Sequence, residues 1–190
     1  AAPPPGRRTP PPKLLARARR HEPAQHVVST LKENGLDARP SPFRRSTIAC
    51  TGIEYCKLAI VDTKDTATAT IDELEQRLGD LSQMKPLSLH VNGCPNSCAR
   101  IQTADIGRLG QLVMDDDGQQ VPGFQVHLGG GLASDDREVA GMGRTVRGLK
   151  VTADDLTDYV ERVVRRYESD KDGSETFAEW AHRADEEALR

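Results

Sequence analysis

The chain has 190 residues, 36% hydrophobic and only 4% aromatic, with a net charge of −3. That length suits one domain of ordinary size or two small ones. The composition reads as underfilled for a single core, and no apolar run approaches the 18 residues or so of a membrane span.

Charge is unevenly spread. Residues 1–20 hold six basic residues, six prolines and no acid, so the remainder carries a balance near −9. The prolines deny helix, and 1–23 reads as a disordered Pro/Arg-rich leader or linker. It lacks interleaved aromatics and any nucleic-acid reading module, so a solvated tail is expected and nucleic acid is not a partner. The N-terminus has no apolar stretch of the secretory kind, which points to the reducing cytoplasm. There, paired cysteines bind metal or do redox chemistry more often than they form disulfides.

Residues 24–34 place Val27, Val28 and Leu31 on one face of a short packed helix, with Gly35 as its stop. Leu58 to Val61 form an apolar run too short to classify by period. Thr70 and Glu73 have capping-box spacing, and Ile71, Leu74 and Leu78 continue an apolar face. A helix is therefore expected over 71–78, ended by Gly79.

Residues 87–92 alternate apolar and polar, the pattern of a half-buried strand that leads straight into Gly93 and Cys94. Residues 111–114 and 124–128 read as two more strands joined by an Asp- and Gly-rich turn. Gly129, Gly130 and Gly131 follow the second strand without forming the G-x-G-x-x-G pattern of a dinucleotide site. A helix over 153–167 has Thr152 at its N-cap and a stripe of Leu156, Tyr159, Val160, Val163 and Tyr167. A last amphipathic helix over 175–189 carries Phe177, Trp180, Ala181 and Ala184 on one side. Together these elements predict an α+β fold, a mixed sheet with helices.

Chemistry concentrates in the cysteines. There are four, as Cys50-x5-Cys56 and Cys94-x3-Cys98. Thiolates suit tetrahedral iron, and a [4Fe–4S] cube takes four of them. Pro95 favours a helical turn that would set Cys94 and Cys98 on one face, and Gly93 permits close approach of a bulky group. C-x5-C is wide for a zinc knuckle, yet zinc remains an alternative on spacing alone, as do two disulfides. His90 and His127 are further candidate ligands, His90 reading rather as a strand packing residue.

The segment Thr-Ile-Ala-Cys50-Thr51-Gly52-Ile-Glu-Tyr-Cys56-Lys-Leu-Ala59, followed by Asn92-Gly93-Cys94-Pro95-Asn96-Ser97-Cys98, resembles the signature of the sirohaem-binding nitrite and sulfite reductases. Ala104-Asp105-Ile106-Gly107 and Val126-His127-Leu128-Gly129-Gly130 extend the likeness, which spans about residues 24 to 188. The resemblance implies that Cys50, Cys56, Cys94 and Cys98 ligate a [4Fe–4S] cluster. It also implies that Cys98 bridges to the sirohaem iron as the catalytic thiolate. Asn96 could orient cluster or macrocycle or simply form the turn, and Arg44 and Arg45 could pair with sirohaem carboxylates or stand as exposed loop charges.

The implied activity is ferredoxin-dependent reduction of sulfite to sulfide, with nitrite to ammonia as the alternative. Enzymes of this family are longer and have two related halves. The chain corresponds to the C-terminal half, as a 24–190 domain, so the N-terminal half is an expected partner and the chain alone is expected to be inactive. A cluster-bearing electron carrier without sirohaem, or an inactive fragment, would share the same cysteines.

Overall fold

The computed structural model describes residues 7–9, 13–15, 21–81, 84–133 and 141–190. Its contacts divide the chain into two units, 1–41 and 42–190. In the first, β1 (Arg7–Thr9) and β2 (Lys13–Leu15) pair antiparallel, and α1 runs His21–Glu33. Gly35 takes a φ of +72° at the helix stop, as its lack of a side chain permits. The expectation of an unstructured leader to residue 23 thus meets two short strands and a helix that begins at His21. The rest of that leader lies outside the described residues. The expected packing of α1 is corrected. Val27 and Val28 are exposed and Leu31 is only half-buried, because among described residues 25–41 none is buried.

The second unit opens with α2 (Pro42–Ser46), which turns directly into β3 (Thr47–Ala49). Helix α3 (Lys64–Arg77) then crosses back to β4 (Leu89–Asn92). A long hairpin follows, β5 (Ile106–Met114) and β6 (Gln120–Leu128), and the chain closes with β7 (Lys150–Thr152), α4 (Leu156–Asp170) and α5 (Phe177–Arg183). The spatial order is β3-β4-β5-β6-β7. The β3–β4 and β4–β5 pairs are parallel, while β5–β6 and β6–β7 are antiparallel. The α+β expectation holds.

Register gives the sheet two unlike faces. Leu89, Ile106 and Leu128 stand in one row and Val91 and Val126 in the next, all fully buried. This face meets α4, whose Leu156, Tyr159, Val160, Val163 and Tyr167 form the predicted stripe, with Val164 buried beside them. Six of the seven aromatic side chains are buried, and Tyr167, Phe177 and Trp180 pack with ring centroids 5.3–5.6 Å apart. The aromatics are few but concentrated, so the core is not underfilled. Tyr55 alone is exposed.

The opposite face carries His90 and Asn92 on β4 and Gly107 on β5, and loops cover it. A Cβ on Gly107 would lie 2.0 Å from the Ile101 carbonyl oxygen, and one on Gly130 would lie 2.2 Å from that of Gln102. All four β4 residues are therefore buried, not half-buried as their alternation suggests. Three helix boundaries also differ from expectation. Helix α3 begins seven residues early, with Asp62 accepting the Asp65 and Thr66 N–H groups. Thr70 sits inside it, its hydroxyl donating to Thr66 O at 2.7 Å. Thr152 ends β7, and Asp155 holds the N-cap position of α4. Helix α5 stops at Arg183, where Arg144 donates to the carbonyls of Ala181 and Ala184.

Candidate iron–sulfur site

Two parallel neighbours release the two cysteine segments at the same end of the sheet. Cys50 directly follows β3, and its N–H donates to Val91 O at 3.0 Å, continuing the ladder by one rung. Cys94 follows β4 after one intervening glycine. That glycine ties the segments together: the Gly93 N–H donates to the Cys50 sulfur at 3.2 Å, and its carbonyl accepts the Ile60 N–H at 2.7 Å.

The Cys50–Cys56 loop is held from inside. The buried Thr63 hydroxyl donates to Cys50 O at 2.8 Å and lies 3.8 Å from the Cys50 sulfur. Gly52 has a φ of +80°, and a Cβ there would fall 2.6 Å from Thr63 Oγ1. No larger residue fits that turn without displacing Thr63. The Cys56 N–H closes the loop onto Gly52 O at 2.9 Å.

The Cys94–Cys98 loop is not the expected helical turn. Pro95 and Asn96 form a turn, and Ser97 and Arg100 take left-handed φ values of 56° and 55°. A left-handed residue breaks the helical path, and the two cysteines differ in exposure: Cys94 is buried and Cys98 exposed. Ser97 is fixed by its hydroxyl donating to Gln102 Oε1.

Asn96 is exposed on the turn. The amide that organises the loop is Asn92, which sequence reading passed over as a strand residue. It is 1% exposed, its Nδ2 donates to Cys94 O at 2.5 Å, and its Oδ1 accepts the Ala99 N–H at 2.9 Å. The signal was its place one residue before Gly93-Cys94, but burial alone reveals the role.

His90 lies under the same loop, with Nδ1 3.2 Å from Arg100 O, and burial lowers its pKa below the ordinary imidazole value. His127, also on the loop-covered face, is lowered for the same reason. Arg44 is engaged elsewhere than expected. It makes a fork to Glu75, with Nε–Oε1 at 2.9 Å and Nη2–Oε2 at 2.6 Å, and reaches Asp72 at 2.5 Å, which ties α2 to α3 and raises its pKa. Arg45 is exposed.

All four cysteines are free thiols, which removes the disulfide alternative. Among the described residues no three His, Cys, Asp or Glu side chains converge closely enough to hold a single metal ion. A structural zinc needs its sulfurs within about 2.3 Å of one point. Thiols delivered by two separate loops at one sheet end suit a larger multi-iron group, and the backbone N–H aimed at the Cys50 sulfur suits a ligand that carries negative charge. Ile53, Tyr55 and Leu58, on the Cys50–Cys56 loop or just beyond it, are all more than half exposed. No helix among the described residues is long and apolar enough to cross a membrane.

Residues 41–190 match the family model described as the nitrite and sulphite reductase 4Fe-4S domain. Over 166 residues the chain is 52% identical to ferredoxin sulfite reductase 1 of Mycolicibacterium paratuberculosis, covering 86% of this chain and 29% of that protein. It is 41% identical over 105 residues to the chloroplastic ferredoxin–nitrite reductase of Zea mays, covering 55% of this chain and 18% of that one. The solved structure of the NirA protein of Mycobacterium tuberculosis superposes with a TM-score of 0.84 at 45% identity, over 93% of this chain and 32% of that one. The chain thus spans under a third of the length of these relatives.

Proposed function

The chain belongs to the nitrite and sulphite reductase 4Fe-4S domain family, whose cofactors are a [4Fe–4S] cluster and sirohaem, and we propose that it supplies the cofactor-holding part of a ferredoxin-dependent sulfite reductase. The observation that carries this reading is the delivery of four free thiols by two adjacent parallel strands. Cys50, Cys56, Cys94 and Cys98 would hold the cluster, and Cys98, the exposed one, would present its sulfur outward to the sirohaem iron. When bound, these groups supply electron storage and the site at which sulfite takes six electrons and six protons to give sulfide and three waters.

This chain's residues set the stage for that chemistry. Gly93 N–H stabilises charge on the Cys50 sulfur, and Thr63 and Gly52 fix the loop that carries Cys50 and Cys56. Asn96, at the tip of the second loop, would orient the macrocycle. Ile53, Tyr55 and Leu58 would exclude water beside the cluster. The cofactor module would be the 42–190 unit, which the family match over 41–190 overlaps, and it would act in the cytoplasm. The anion-binding groups and the complementary half would come from the remainder of a longer enzyme.

Sulfite is favoured over nitrite because the sulfite reductases match at higher identity over more of the chain. A second reading is an electron-carrier module without sirohaem, which would use the same four free thiols. Anaerobic reconstitution with iron and sulfide tests the proposal. About four irons per chain are expected; zinc, or no bound iron, would overturn it. Sirohaem absorption on co-expression with sirohaem synthesis selects the reductase reading, and its absence selects the carrier. The chain alone is expected not to turn over either anion.

A further inference from the structure

The chain leaves β4 at Asn92 and returns beneath it at Ala99, and both ends of that excursion are bonded to a single side chain. Cys94 O and Ala99 N–H are backbone groups of residues 6% and 2% exposed. Neither has a sheet partner, and buried backbone groups require one. Asn92 satisfies both, donating through Nδ2 to Cys94 O and accepting through Oδ1 from Ala99 N–H. A primary amide is the one short side chain that offers a donor and an acceptor about this far apart without a charge.

Asn92 itself is anchored in the ladder opposite Leu109 of β5. The loop is therefore referred to the central strand pair, with Cys94 just inside one bond and Cys98 just inside the other.

We propose that Asn92 is the positioning residue of the second ligand pair: its amide pins both ends of the 94–99 loop so that Cys94 and Cys98 hold their relative placement before any cluster is bound. The inference rests on the reading of these cysteines as cluster ligands. The left-handed Ser97 and Arg100 make the bracing necessary. Such residues sit in a narrow conformational well that the surroundings must enforce, and a loose loop would relax out of it. Asn92 would act through Cys94 and Ala99, the two groups its amide bonds.

The test compares the reconstituted full chain with Asn92→Leu, which removes both bonds at similar volume, and Asn92→Asp, which keeps the acceptor for Ala99 N–H. Cluster loss to an iron chelator is timed, and the reduced cluster is examined by electron paramagnetic resonance. Trp180 emission reports whether the core stays folded. The expected result is loss about tenfold to a hundredfold faster in Asn92→Leu, a smaller acceleration in Asn92→Asp, a broadened resonance in both, and unchanged Trp180 emission.

Wild-type lability and line shape in Asn92→Leu would overturn the proposal while leaving the cluster assignment intact. Loss of Trp180 packing in both variants would also overturn it, since Asn92 would then be a general core residue. Absence of iron from the wild-type chain would remove the assignment and the proposal together.

Discussion

Arg108 stands opposite Val126 in the β5–β6 ladder, on the face of the sheet that meets α4. Its other neighbour is Val91. The side chain is 0% exposed, and Nε, Nη1 and Nη2 have no hydrogen-bond partner. A buried cation without a partner costs stability, because desolvation is not repaid.

Arg108→Met is accordingly expected to raise unfolding stability by about 1–4 kcal/mol, measured by urea denaturation. Burial pushes the Arg108 pKa down to about 9. The folded state thus binds fewer protons than the unfolded one above that value. The cost of Arg108 is fully present below pH 9 and is relieved as pH rises towards the unfolded value. The advantage of the variant should narrow above pH 9; a constant gap from pH 7 to pH 10.5 would count against burial as the cause.

Gly107 allows the backbone at Ile101, just beyond the Cys98 loop, to lie directly on β5. Gly107→Ala places a methyl group against a carbonyl that is itself held within the loop layer. The expected cost is about 3 kcal/mol, with faster cluster loss, read by denaturation and by visible absorption. A variant as stable as the wild type would mean that the loop is free to lift.

Cys98 and Cys50 differ in exposure and in partners, and their loss should differ too. Cys98→Ser is expected to lose sirohaem more completely than Cys50→Ser, whereas Cys50→Ser removes the sulfur that accepts Gly93 N–H. Sirohaem content per chain after co-expression decides it, and equal loss in both variants contradicts the bridging role of Cys98.

Thr70 and Thr176 each head a Thr-x-x-Glu segment of the same spacing, but of this pair only Thr176 is a cap. Thr176 accepts the Glu179 N–H at 3.3 Å, while Glu179 accepts the Thr176 N–H at 2.7 Å. Thr176→Ala should cost about 0.5–2 kcal/mol. Thr70→Val, which retains the buried shape, should cost under about 1 kcal/mol by the same thermal or urea measurement. Equal costs would show that the spacing alone, not the observed geometry, had mattered.

That pair also shows what the sequence discloses. The cysteine motifs, the α4 stripe and the β5–β6 hairpin were legible because each depends on local spacing. The start of α3 was not, since the capping pattern at Thr70 is locally sound and loses to helix continuity from Lys64. Asn96 looked more important than Asn92 because it lies between ligands, whereas the value of Asn92 comes from burial and from bonds across a loop. Arg44 offered a free cation to a cofactor and is instead engaged by Glu75 and Asp72, 31 and 28 residues away. Arg108 lies outside the strand expected over 111–114, and only the sheet register places it between two valines.

The parallel pairing of β3 with β4 has a thermodynamic corollary. Strand β3 has three residues and lies at the sheet edge, and beyond it the four thiols come from both sides of the β3–β4 seam. A cluster spanning that seam binds only when the seam is closed, so its binding free energy adds to that of strand pairing. If the four cysteines hold the cluster, a chain stripped of iron should open first at this seam, with hydrogen exchange at Cys50 N–H quickening before the α4 core is affected.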